Sequence, residues 1–201
     1  MKKSILVIAA HPDDEVLGCG GAIAKYASEG SSIHVAFMSD GVFSREGDKD
    51  LKDKELLSRR EAAKAALKVL GVESFSFNNF PDNKMDTIAT IEVAKTIEGI
   101  IKKHQPEIIF THHYGDVNVD HRKVHEATTV ACRSQPLHPV KSILCFEIAS
   151  SSEWQFSYTG NGFLPNYFIG ISEFVSIKIE GLSKYEYEMR KWPHPRSLKA
   201  V

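Results

Sequence analysis

Residues 4 to 21, SILVIAAHPDDEVLGCGG, constrain this chain more than any other stretch. Ser4 to Ala10 is an apolar run rich in β-branched residues, short enough to be one buried strand. It ends at His11-Pro12-Asp13-Asp14-Glu15, which sets an imidazole beside three carboxylates. Gly18, Gly20 and Gly21 follow, and a helical pattern begins there. Carboxylates gathered at the end of a buried strand are costly to desolvate unless something positive offsets them, and a divalent metal is the natural candidate. His11 and Asp14 can converge on one ion across a turn. Imidazole plus carboxylate suits Zn2+, bound at about 2.0–2.2 Å. Asp13 is then free to act as a base on water. The plainer alternative is a polar loop whose aspartates cap the next helix.

The second half of the chain decides between these. Glu107 to His113 (EIIFTHH) reads as another buried strand ending in histidines, and the loop after it carries Asp116, Asn118, Asp120 and His121. A helix is expected to begin near His121. Open parallel α/β sheets bind ligands outside the C-terminal strand ends, where the strand order reverses. If the two strands are neighbours, His11, Asp14 and His121 supply three ligands and leave a fourth position open, as catalytic zinc sites do.

AHPDDEVLGCGG together with DVNVDHRKV resembles the LmbE-like (PIG-L) family of zinc-dependent N-acetylglucosaminyl deacetylases, with matching motifs from Ile5 to about Ser197. The resemblance implies an α/β, Rossmann-like, open and mostly parallel sheet flanked by helices, with catalytic loops at the C-terminal strand ends. It implies one domain over residues 1–201, whose part from about residue 149 wraps the substrate side. It assigns His11, Asp14 and His121 to the metal and Asp13 to general-base catalysis, with Asp120 orienting His121. Zn2+ is the expected ion, and Fe2+ or Co2+ suits the same ligands. Such an ion makes a hydroxide-like nucleophile available near neutral pH.

Further assignments follow from the resemblance. The family carries an R-x-x-E ahead of a Leu-Gly. Counting back from Leu70-Gly71 puts its substrate-binding arginine at Arg59, although Ala62 stands in place of the acid. Asp82, in the Pro81-Asp82-Asn83 loop, is the candidate contact to a sugar hydroxyl, and Trp154 a candidate for stacking on the ring. A histidine that stabilises the oxyanion usually precedes the last ligand by three residues, where this chain has Asn118. An amide cannot become cationic. His194, in the Pro-His-Pro-Arg-Ser motif, and His113 are therefore the candidates to supply the missing charge. The implied reaction is hydrolysis of an N-acetyl group from an N-acetylglucosamine-type sugar. Two other readings stay open: a metal amidase or esterase for a non-sugar acyl compound, and a zinc-containing binding module without catalysis.

Composition narrows the partners. Lys+Arg of 25 against Asp+Glu of 26 gives a net charge of −1, with no footprint for nucleic acid or an anionic membrane. Cys19, Cys132 and Cys145 form no CxxC pair, which argues for a reducing, cytoplasmic setting. The opening Met-Lys-Lys precedes an apolar run that meets acids instead of a cleavage site, so it does not read as a signal peptide. No stretch approaches the ~18 apolar residues of a membrane span. The expected partner is a small acylated amino sugar, with self-association left open. GCGGA lacks the dinucleotide-binding spacing.

The remaining elements follow in order. Helices are expected over Val16–Glu29, Lys54–Leu70, Asp86–Lys103 and His121–Arg133, and strands over Ser32–Met38, Glu73–Phe80 and Ser142–Ile148. Val42 to Asp53 reads as a mobile, solvated loop, a lid over the sugar being the alternative. His125 shares a helix face with His121 but reads as a neighbour of the site or a surface residue. Tyr167–Ser172 is strand-like, with a helix after it to about Lys191.

Overall fold

The computed structural model describes residues 2–44, 48–135, 138–156 and 160–201. Five strands, β1 (Ser4–Ala9), β2 (Ser32–Ser39), β3 (Ser74–Phe80), β4 (Ile108–His112) and β5 (Ser142–Phe146), form one sheet. Their order is β3-β2-β1-β4-β5 and every pairing is parallel. Among the described residues five α-helices accompany them: α1 (Asp14–Ser28), α2 (Lys49–Val69), α3 (Thr90–His104), α4 (Val119–Ala131) and α5 (Val175–Ser183). The expected open parallel α/β sheet is what forms.

β1 is central because it is apolar on both faces. Ile5, Val7 and Ala9 enter a core shared with α1, α2 and α5, while Leu6, Ile8 and Ala10 enter a second core shared with α3 and α4. Burying each such Leu, Ile or Val contributes about 1.5–3 kcal/mol, so exposing either face would be costly. The strand order reverses between β1 and β4, which pair from Ile5↔Ile108 to Val7↔Phe110. The crevice at that reversal lies beyond Ala9 and His112, where both polar clusters emerge.

Several boundaries differ from expectation. α2 starts at Lys49, earlier than Lys54, because its charged first turns sit on a solvated face. The last part of the Val42–Asp53 stretch is thus helix, and residues 45–47 within it lie outside the described residues. α4 starts at Val119, with Asn118 as its N-cap: the Asn118 side-chain oxygen accepts from the Asp120 N–H at 2.8 Å. Residues 167–171 form no strand; Tyr167 and Phe168 face solvent, and a short 3-10 turn over Ser172–Phe174 leads into α5. α5 stops at Ser183 instead of Lys191, because Tyr185 and Glu188 turn inward to bond other elements. Residues 157–159 lie outside the described residues.

Candidate active site

The loop after β1 is held in a costly conformation. Asp13 has φ 123, a region that favours glycine, and it immediately precedes α1. Such strain costs on the order of 1–3 kcal/mol and persists only where neighbours over-determine it. Here the Asp13 N–H donates to Glu15 Oε2 at 3.0 Å, and the Tyr185 hydroxyl donates to Glu15 Oε1 at 2.6 Å. The His11 N–H donates to Asp14 Oδ2 at 2.8 Å. Burial pushes the Glu15 carboxyl up to about 8.

Asp14, His11 and His121 meet at the crevice, all buried. Asp14 Oδ2 lies 3.4 Å from His11 Nδ1 and 3.3 Å from His121 Nε2. Four tetrahedral ligands about 2.1 Å from an ion stand about 3.4 Å from one another. The spacing and the donor set therefore fit Zn2+. The three ionisable groups are also electrostatically linked. Burial opposes ionisation of all three, yet His121, His112 and His11 hold Asp14 well below the usual carboxylate range. Against the same burial, Asp14 and Asp116 lift His121 to about 9, and Asp120, Asp14 and Asp82 lift His11. The three side chains together form a group that could hold a metal ion.

Each histidine has its own carboxylate, and the assignment differs from the one expected. Asp120 does not face His121. It lies 2.9 Å from His11 Nε2, and its oxygens also accept from the Asn83 and Met85 N–H groups. The carboxylate beside His121 is Asp116, 3.2 Å from Nδ1; the contact is electrostatic, without the alignment of a hydrogen bond. Asp116 is itself fixed by the Ser151 and Ser152 hydroxyls and the Asn118 N–H. The reason is the N-cap at Asn118, which sets Asp120 and His121 on the first turn of α4 pointing apart. Asp82 also turns inward, 3.3 Å from His11 Nε2, with Ser44 N–H on its other oxygen.

The remaining histidines separate. His112 accepts from the Ala10 N–H at 2.8 Å and stacks on His121 with centroids 4.0 Å apart. Burial and the neighbouring His121 keep it neutral. His113 points away: its Nε2 meets the Asn161 carbonyl at 2.7 Å, and its ring packs on Tyr114 and Phe163. It is not brought to the metal cluster, because successive residues at a strand end alternate sides. His125 bonds the His112 carbonyl and also lies outside the cluster. His194 accepts from the Arg196 N–H at 3.0 Å and meets Trp154 edge-on. Trp154 itself is 54% exposed, a ring open to a ligand.

Asp13 is flanked by two arginines. Arg196 Nη1 lies 3.1 Å from its Oδ2, and Arg59 Nη2 lies 3.5 Å away. Burial raises the Asp13 carboxyl to about 6 while both arginines pull it down. Arg59 is buried rather than solvated; it donates to the Pro12 carbonyl at 2.9 Å and to Glu188 at 2.6 Å. Glu188 thus supplies the acid that Ala62 leaves out of α2. Sequence reasoning passed over Glu188 and gave Asp116 and Arg196 no role of their own. The Pro-His-Pro-Arg-Ser motif did hold Arg196, two residues past the histidine it drew attention to.

Comparison with known proteins places this geometry. Residues 6–132 match the family model PIG-L, described as GlcNAc-PI de-N-acetylase. The uncharacterized deacetylase YaiS of Escherichia coli (strain K12) is 32% identical over 191 residues, covering 92% of this chain and 91% of that one. The diacetylchitobiose deacetylase of Thermococcus kodakarensis is 27% identical over 191 residues, covering 92% and 69%. Among solved structures, GalB, the 4-carboxy-2-hydroxymuconate hydratase of Pseudomonas putida KT2440, superposes with a TM-score of 0.72 at 26% identity, covering 94% of this chain and 80% of that one.

Proposed function

The chain belongs to the PIG-L (LmbE-like) family, and from that premise we propose that it is a zinc-dependent hydrolase that removes the N-acetyl group from an N-acetylglucosamine-type sugar or its conjugate. The observation that carries the reading is the buried Asp14–His11–His121 cluster with Asp13 beside it. His11, Asp14 and His121 would hold the ion, which when bound supplies Lewis acidity and a readily deprotonated water.

The chain's own residues do the rest. Asp13 accepts the proton of the attacking water and returns it to the leaving amine, a pairing typical of a carboxylate base poised near neutral pH. Glu15 and Tyr185 hold Asp13 in place. Asp120 and Asp116 orient the two imidazoles, as outer carboxylates commonly do for metal-bound histidines. Arg59, buried beside Asp13, serves that carboxylate, and the exposed Trp154 ring is suited to stacking on a sugar face. Asp82, turned onto His11, serves the imidazole better than a sugar hydroxyl. The whole chain works as one domain, its part from about residue 149 closing the substrate side through Tyr185, Glu188 and Arg196.

Among the described residues no helix is long and apolar enough to cross a membrane. The three free cysteines suit a cytoplasmic setting. The named activities of the relatives, deacetylation of diacetylchitobiose among them, support an acetylated amino sugar as substrate. A second reading has one observation behind it: the hydratase superposes too, and an ion with an adjacent base also suits adding water to an activated double bond.

The test is acetate release from a panel of N-acetyl sugars with the protein as purified, chelated and zinc-restored. A conjugated unsaturated hydroxy acid is included, its hydration followed by absorbance. Chelator-sensitive acetate release is expected. Silence toward every sugar alongside loss of the dienoate absorbance would replace deacetylation with hydration.

A further inference from the structure

Position 118 supplies no cation for the oxyanion. Asn118, where the family carries a histidine, spends its oxygen capping α4, and its amide nitrogen lies 3.3 Å from Asn83 Oδ1. His113 faces the Asn161 carbonyl, and His194 accepts the Arg196 N–H. Among the groups beside Asp13, two guanidiniums are left.

They are not equivalent. Arg59 is buried, its Nη1 on Glu188 and its Nη2 on the Pro12 carbonyl. Arg196 is anchored through Nε, 2.6 Å from Ser150 Oγ and 3.3 Å from the Ala149 carbonyl. That anchoring fixes the plane of the guanidinium and directs Nη1 to Asp13 Oδ2 at 3.1 Å. Its Nη2 donates no hydrogen bond among the described residues, and its side chain is 20% exposed. Arg196 is therefore oriented, charged and partly exposed, with both N–H groups of Nη2 unused among the described residues.

We propose that Arg196 is a catalytic residue whose guanidinium stabilises the negative charge on the substrate's acyl oxygen, the part a histidine plays elsewhere in the family. The inference rests on the deacetylase reading. During attack, the water oxygen bonds the acyl carbon and its proton passes to Asp13. The carbonyl π pair moves onto the acyl oxygen. Negative charge leaves Asp13 and appears on that oxygen in the same step, so a guanidinium paired with Asp13 beforehand can follow the charge without changing its own state. The C–N bond then breaks, the Asp13 proton goes to the nitrogen, and the oxygen returns its pair to the carbonyl. Arg196 is restored to Asp13, with acetate and the free amine as products. Preorganised donors of this kind act strongly where water is excluded.

The probe is methylphosphonate, a tetrahedral anion shaped like the attacked acetyl group, titrated calorimetrically into the zinc-loaded protein. Wild type is expected to bind it, Arg196→Gln at least tenfold more weakly, and Arg196→Lys in between. In turnover, Arg196→Gln should lower kcat by about 10²–10³ with KM little changed. Added guanidinium ion should restore part of the rate to Arg196→Gly. If Arg196→Gln fails to fold, judged by thermal unfolding and zinc stoichiometry, the Arg196→Lys affinity and the guanidinium rescue decide. Methylphosphonate binding that is absent from wild type, or equal in wild type and the variants, overturns the proposal. A wild type that binds methylphosphonate through Arg196 yet releases no acetate from any sugar keeps Arg196 as the oxyanion residue and fails only the substrate reading.

Discussion

Asp120 Oδ2 stands 2.9 Å from His11 Nε2, on the ring nitrogen opposite the one that faces Asp14. The imidazole is therefore pinned between Asp14 on one side and Asp120 and Asp82 on the other, with Nδ1 left toward the ion position. Because two backbone N–H groups hold Asp120 in turn, the ring cannot rotate without breaking a chain of bonds.

Asp120→Asn is accordingly expected to weaken zinc affinity by about 10–100-fold, the usual cost of losing such a partner. Asp116→Asn should cost a similar amount through His121, which lies 3.2 Å from it. Competition against a chromogenic chelator measures both. Zinc affinity unchanged in Asp120→Asn would mean that its contact with His11 positions nothing.

The sheet was legible because β1 and β4 are apolar on both faces, a pattern only a central parallel strand satisfies. His11, Asp13, Asp14 and His121 were legible for a local reason: each follows a strand end or opens a helix within a few residues. Asp116 and Asp120 were harder. Both lie in one loop, and which of them faces His121 depends on where α4 begins, a boundary set by the Asn118 cap. Glu188 and Arg196 reach Asp13 and Arg59 from more than 100 residues away in sequence, through a segment without regular structure. No periodicity encodes such contacts. His113 was misplaced because a strand end alternates its side chains, so adjacent histidines cannot share one site.

Ion removal should be visible in stability. Ligand atoms of Asp14, His11 and His121 lie close enough together to share one ion. If zinc binds only the folded arrangement, saturation at 100 times Kd should add about 2.7 kcal/mol. Thermal unfolding with chelator and with zinc measures the difference. Asp14→Asn should abolish it, and a zinc-independent Tm in wild type would argue against any ion at this cluster.

Two glycines should respond in opposite directions. A Cβ on Gly18, in α1, would lie 2.3 Å from Phe146 Cδ2, and Phe146 is itself buried. Gly18→Ala is expected to cost about 1–3 kcal/mol through overpacking. Gly99, in the exposed part of α3, meets nothing within 4 Å. Gly99→Ala should stabilise by about 0.5–1 kcal/mol, since alanine loses less entropy in a helix. Urea unfolding of both variants checks the pair; a stable Gly18→Ala would show that Phe146 has room to move.

A last expectation concerns acid. His34 in β2 bonds the Ser74 and Ser76 hydroxyls at 2.8 and 3.0 Å and stacks on His104 with centroids 3.8 Å apart. Burial first, and then the positive neighbours His104 and Lys103, push it from 6.5 down to about 4. The folded protein therefore binds fewer protons at His34 than the unfolded chain does between about pH 6.5 and 4, so stability falls as pH drops through that window. The contribution is intact above the window and fully lost below it. His34→Gln keeps a polar side chain at the two serines but cannot titrate. The stability advantage of wild type over His34→Gln should thus shrink from pH 7 to pH 4.5 in urea unfolding. An advantage that stays constant across that range would show that His34 is protonated as easily in the fold as outside it.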